Sequence, residues 1–114
     1  MAKTVATSSS ARAAAKLFRG LADPMRLSVL LALQDGERRV TDLADLLGSS
    51  QANVSDHLAC LRGCGLVVDR PVGRQNFYRL ARPELRALLE AAESLLAGVG
   101  EQVELCSNYR QAEP

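Results

Sequence analysis

The segment "VTDLADLLGSSQANVSDHLACLRGCG", residues 40–65, constrains the fold more than any other part of the chain. It reads as two short helices with almost nothing between them. Thr41 is the expected N-cap of the first and Gly48 its stop. Ser49 or Ser50 caps the second, which closes near Gly65. A link of only about three residues forces the two helices into a tight crossing, the helix-turn-helix arrangement.

The hydrophobic period then changes. "LVVDRPVGRQNFYRL" sets β-branched and aromatic residues on both sides of Pro71-Val72-Gly73, which predicts a hairpin with strands near 66–70 and 75–80. Upstream, "SSSARAAAKLFRGLA" is Ala-rich and favours a helix. "LADPMRLSVLLALQDG" reads as a second helix, with Asp23 as N-cap, Pro24 at its first position and Asp35-Gly36 ending it. Downstream, Leu85, Leu88, Leu89, Ala92, Leu95, Leu96 and Val99 recur at helical spacing, with Pro83 in the first turn. The order is four helices, a hairpin and a fifth helix. A hairpin behind a helix-turn-helix is a wing. The expected fold is therefore mainly α (α+β): a winged helix-turn-helix of about five helices and a β-hairpin wing. Residues 1–100 make up this domain, and residues 101–114 form a polar tail carrying Cys106.

Composition narrows the function classes. The 114 residues suffice for one domain with a small core. No apolar run approaches the roughly 18 residues of a membrane span. The start of the chain lacks an apolar secretory stretch, so a cytoplasmic protein with no membrane partner is expected. One histidine and no evident nucleophile–base pair argue against an enzyme. Net charge is +1, but it is unevenly spread. Residues 1–40 carry seven Lys/Arg and three Asp/Glu, residues 41–80 four of each, and residues 81–114 three and six. A basic front and an acidic back are compatible with one face meeting a polyanion.

In a helix-turn-helix the second helix presents its N-terminal residues to base edges in the major groove. Here those residues are Ser49, Ser50, Gln51, Asn53, Ser55 and Asp56, with His57 just behind. Gln and Asn can pair bidentately with adenine, and Ser serves several bases or a phosphate. Asp56 repels phosphate and suits a cytosine amino group or a neighbouring Arg. In the wing, Arg70, Arg74 and Gln75 flank a turn, where Arg fits phosphate or a narrow minor groove. Taken singly, each of these has a plain reading as a helix cap or a solvated side chain. The order of elements makes double-stranded operator DNA the expected partner.

The same helix carries two of the three cysteines, Cys60 and Cys64. On a wheel of about 100° per residue, Val54, Leu58, Leu61 and Gly65 form the core stripe, and the thiols fall roughly 80–120° from Val54. One turn apart, their Cβ atoms are about 5–6 Å from each other. Two thiolates at this spacing can grip one soft ion. Three readings stay open on spacing alone: small core residues, a metal site, or a redox pair. Cys106 would supply a third thiol. Three thiolates suit Cd(II), Pb(II) or As(III), whereas tetrahedral Zn(II) needs a fourth ligand, for which His57 is the candidate.

The segments "LADPMRLSVLLAL", "ANVSDHLACLRGCGLV" and "GRQNFYRL" resemble the ArsR/SmtB family of metal-sensing repressors over roughly residues 13–98. The resemblance implies a homodimer built through the first and last helices, and an apo form that represses and leaves the operator when metal binds. It is strongest to the family's cadmium- and lead-sensing members. Their ligands, two cysteines of the recognition helix and one of the tail, correspond to Cys60, Cys64 and Cys106. The tail cysteine can come from the partner subunit. Other branches fit less well: "VTDLADLLG" has no cysteine, and the last helix has Glu84, Glu90 and Glu93 but no His. The implied function is a repressor released by Cd(II) or Pb(II). An arsenite-responsive repressor and a thiol-redox or persulfide sensor on the same fold are the alternatives.

Overall fold

The computed structural model describes residues 8–99. Its elements are α1 (Ser8–Ala22), α2 (Pro24–Ala32), a 3-10 turn (Leu33–Asp35), β1 (Arg38–Arg39), α3 (Val40–Leu47), α4 (Gln51–Gly63), β2 (Val67–Val72), β3 (Gln75–Leu80) and α5 (Glu84–Gly98). The described residues form five α-helices and a three-stranded antiparallel sheet in the order β1-β3-β2. This is the winged helix-turn-helix the sequence implies.

Local chemistry sets most of the boundaries. Asp23 Oδ2 accepts from the Arg26 backbone N–H at 3.0 Å, and Pro24 occupies the first turn of α2. The Arg26 side chain turns back to donate to the Gly20 and Arg19 carbonyls at 2.9 and 3.1 Å. One residue therefore ties the start of α2 to the open C-terminal carbonyls of α1, where a cation also opposes the helix dipole. Gly48 (φ 63°) ends α3, and the Ser49 N–H reaches back to the Ala44 carbonyl at 3.0 Å. Gly65 (φ 77°) ends α4 in the same way: its N–H bonds Arg62 O, and Leu66 N–H bonds Leu61 O, both at 3.0 Å. A left-handed residue closing paired bonds of this kind is the Schellman stop, and any side chain at either glycine would be strained.

The core lies where α2, α3, α4 and the inner sheet face meet. Val29, Leu30, Leu43, Val54, Leu58 and Leu61 are fully buried, joined by Leu33, Leu66, Val67, Tyr78 and Leu85. Val54, Leu58 and Leu61 are three of the four stripe positions the wheel assigns to α4; the fourth, Gly65, is exposed, because the helix has ended by then. In α5 only Leu85 and Leu89 are buried, and the Arg86 guanidinium donates to the Gln34 carbonyl. The far end of α5 is bare: Leu95 and Val99 are 69% and 68% exposed, and Phe18 on α1 is 56% exposed.

Two local expectations are corrected and one strand is added. Thr41 is not the N-cap of α3. Arg39 is, because the Asp42 carboxylate accepts its backbone N–H at 3.0 Å and its guanidinium at 3.1 and 2.9 Å, outcompeting the Thr hydroxyl. The turn of the wing is Gly73-Arg74, not Pro71-Val72-Gly73, since Pro71 pairs with Asn76 and Val72 with Gln75. Pro71 is tolerated because β2 is an edge strand, where a missing N–H breaks no ladder on the open side. The two-residue β1 is additional. It pairs Arg38 with Tyr78 and Arg39 with Phe77 and so pins the wing to the start of α3.

Candidate DNA-reading and thiol site

The N-terminal end of α4 is polar, exposed and internally ordered. Ser50 caps the helix, its Oγ accepting from the Asn53 N–H at 3.0 Å. The Asn53 amide donates to Ser49 Oγ at 2.9 Å. Gln51, Asn53, Ser55 and Asp56 are exposed, and Ser49 is half-buried. The capping bonds hold Asn53 in one place while its amide keeps further donor and acceptor capacity for a base edge. His57 is turned inward. It is half-buried, with Nδ1 3.9 Å from Asp23 Oδ2 at the start of α2. The Asp23 carboxyl is held below its ordinary value, chiefly by the Arg26 backbone N–H and secondarily by the charges of His57 and Arg26.

The wing separates its two arginines. Arg70 is held by Glu37 through bonds of 3.0 and 2.6 Å and lies over the Phe77 ring, 5.5 Å from its centroid. The Arg70 bonds pull Glu37 below the ordinary carboxylate range. The expectation that both wing arginines reach DNA alike is thus narrowed, since Arg70 must leave Glu37 to do so. Arg74 stands exposed at the turn with Gln75. These two, with Asn76, face Arg39, Val40 and Thr41 across an open groove between the wing turn and the start of α3. Sequence reasoning did not place Arg39 or Thr41 there, because only the β1–β3 pairing brings them to the wing.

The C-terminal end of α4 carries the thiols. The Cys64 N–H bonds the Cys60 carbonyl at 3.1 Å, so the two residues sit one helical turn apart. Cys60 is exposed and Cys64 half-buried, and both are free thiols. The wheel's exclusion of both from the core face is corrected for Cys64. That residue is the C-cap of α4 and packs against the core, beneath the buried Gly20 of α1. A Cβ added at Gly20 would stand 3.9 Å from Cys64 Sγ. Between the thiols, Arg62 pairs with Asp69 of β2 at 3.1 Å, and Asp69 also accepts from the Asn76 amide at 2.8 Å. The Asn76 bond is the main reason the Asp69 carboxyl stays below its ordinary value, with Arg62 adding to it.

As a donor set, an exposed and a half-buried thiol one turn apart fit a soft ion entering from solvent. Among the described residues no group of three His, Cys, Asp or Glu is placed to hold one. His57 is therefore not brought to the thiols as a further ligand. The proposed third thiol, Cys106, lies outside the described residues.

Residues 23–68 match the family described as bacterial regulatory protein, arsR family. The HTH-type transcriptional regulator CmtR of Mycobacterium tuberculosis is 52% identical over 86 residues, 75% of this chain and 73% of that protein. The chain belongs to the ArsR family. Among solved structures, the cadmium metal-sensor CmtR of M. tuberculosis is 51% identical, with a TM-score of 0.61 over 71% of this chain and 85% of that one. A homodimeric winged helix-turn-helix DNA-binding domain from Mycobacterium bovis, described as a possible ArsR-family regulator, is 27% identical, with a TM-score of 0.74 over 91% and 97%. This ArsR-family chain is accordingly a winged helix-turn-helix transcriptional regulator, and its relatives are regulators rather than enzymes. No helix of the described residues is long and apolar enough to cross a membrane.

Proposed function

We propose that the chain is a homodimeric, operator-binding repressor released by a soft thiophilic ion, Cd(II) or Pb(II), held by Cys60, Cys64 and Cys106. The observation that carries this reading is the Cys60–Cys64 pair at the end of the recognition helix, one thiol exposed and both on the element that reads DNA. Similarity to a protein named as a cadmium sensor supports the choice of ion. The bare apolar residues Phe18, Leu95 and Val99 support a dimer through α1 and α5, since a lone protomer leaves them in water. A two-fold dimer reads half-sites about one helical turn apart. Gln51, Asn53 and Ser55 serve base edges, Ser49, Ser50, Arg74 and Gln75 the backbone, and Arg70 joins them on leaving Glu37.

Release follows from linkage. An ion bound more tightly by the DNA-free form weakens operator affinity by the same factor, typically about 5–150-fold. Cys64 gives the ion a hold on the point where α4 meets α1, and Arg62–Asp69 joins the same turn to the wing. The test is an operator mobility assay on reduced protein titrated with Cd(II), Pb(II), Zn(II) and arsenite. Cd(II) or Pb(II) is expected to release wild type, and Cys60→Ser, Cys64→Ser and Cys106→Ser to lose the response. Three variants that respond like wild type would overturn the site. Release by oxidant but not by Cd(II) would instead make the chain a thiol-redox repressor, a reading that the exposure of Cys60 favours.

A further inference from the structure

Helix α1 carries Arg12, Lys16 and Arg19 at positions i, i+4 and i+7, and no acidic residue between Ser8 and Ala22. All three are exposed, and none enters an ion pair among the described residues. Like charges at this spacing destabilise a helix unless a counter-charge lies on them. Leu17 and Leu21, on the other side of α1, pack against the core, so the basic stripe faces outward. One turn beyond Lys16 is Gly20, the buried point where α1 touches Cys64. The stripe therefore runs along α1 and ends beside the half-buried thiol.

The sequence holds a segment of matching charge. Residues 101–114, "EQVELCSNYRQAEP", carry Glu101, Glu104 and Glu113 against a single Arg110, and both residues before Cys106 that bear charge are acidic. We propose that the basic stripe of α1 is the docking surface for this acidic tail, guiding Cys106 toward Cys64. The eight residues from the end of α5 at Gly98 to Cys106 can extend about 27 Å, more than the 21 Å shortest axis of the molecule, though less than its 34 Å and 52 Å axes. The function of the docking rests on the reading of Cys106 as the third thiol, but docking itself requires only charge. It holds the tail at a raised local concentration near the site before any ion arrives. Screening should remove it, since the Debye length falls from about 8 Å at physiological ionic strength to about 3 Å at 1 M salt.

The test places a nitroxide on Cys106 of the full chain carrying Cys60→Ser and Cys64→Ser, and reads paramagnetic broadening of α1 amide signals. Broadening over residues 12–20 is expected at low salt. It should be lost in high salt and in the Arg12→Glu, Lys16→Glu, Arg19→Glu triple variant, and regained when Glu101→Lys and Glu104→Lys are added to that triple variant. In the chain with all its cysteines, Cd(II) affinity measured against a competing chelator should fall about tenfold on the triple reversal. A Cys106→Ser background should abolish that difference. Absent broadening at low salt, or broadening indifferent to charge reversal and salt, overturns the proposal. So does unchanged broadening with weakened operator binding, which would assign the stripe to DNA. Charge-dependent broadening in a chain whose thiols ignore Cd(II) would sustain the docking surface and sink the metal reading.

Discussion

The two ends of α4 are built for opposite relations with solvent. The first turns are polar, exposed and held in place by Ser50 and Ser49, with none of the described residues covering Gln51 or Ser55. The last turn puts one thiol in water and slides the other under α1. About 14 Å of helix separates Gln51 from Cys60, at 1.5 Å per residue. Between the ends, Val54, Leu58 and Leu61 clamp the rod to the core. A ligand at one end can therefore act on the other only by tilting or restraining the whole rod, because no side chain spans the distance. The buried stripe is the fulcrum, so under the proposed function reading and sensing share a lever rather than a pocket.

The strongest way to break this contrast is to remove the fulcrum. Leu58→Ala deletes a fully buried side chain and should lower unfolding free energy by about 2–5 kcal/mol. Denaturant titration measures that loss. Operator affinity and thiol affinity for Cd(II) are expected to fall together. A variant that lost one and kept the other would show that the two ends are not carried by one rod. The opposite experiment separates them. Asn53→Ala should cost about 1–3 kcal/mol of discrimination between operator and unrelated DNA. It should leave Cd(II) affinity where it was. Equal losses on both DNA sequences would move Asn53 from base reading to backbone contact.

How much of this was legible in the sequence follows the same division. The start of α4 at Ser49 or Ser50, its stop at Gly65 and the Val54, Leu58 and Leu61 part of its core stripe are local signals that the structure bears out, with Ser50 the cap. The placement of Cys64 was not local. A wheel sees only its own helix, and Cys64 is covered by Gly20, 44 positions earlier in the chain. The grip of Glu37 on Arg70 spans 33 positions, and β1 exists only because β3 lies beside it. At Thr41 the local rule was present but lost, because Asp42 and Arg39 make a stronger, charge-assisted version of the same cap.

A smaller effect sharpens the role of the reading end. Ser50→Ala removes the cap of α4 and should cost about 1 kcal/mol of stability, again read from denaturant titration. Ser50→Asp should restore that stability, since a carboxylate caps as well and complements the helix dipole. It should not restore operator affinity, because the new charge faces phosphate. If Ser50→Asp binds operator like wild type, the N-terminus of α4 does not approach the DNA backbone.

The smallest effect lies one helix away, where Asp42 fixes the start of α3 and hence the angle at which the turn delivers α4. The Arg39 guanidinium and backbone N–H hold the Asp42 carboxyl down at about 2, against an ordinary 3.8. A carboxyl with a lowered folded-state pKa adds stability that is fully present above the ordinary value. That stability is lost as pH falls toward about 2. Asp42→Asn keeps an acceptor for the Arg39 N–H and removes only the charge. The stability gap between wild type and Asp42→Asn should therefore be constant from neutral pH down to about 4 and close toward about 2. Operator affinity at neutral pH should barely move, since the cap geometry survives. A gap that ignores pH would mean that Asp42 holds α3 as a neutral acceptor. The charge of Arg39 would then be left for the groove it shares with Arg74 and Gln75.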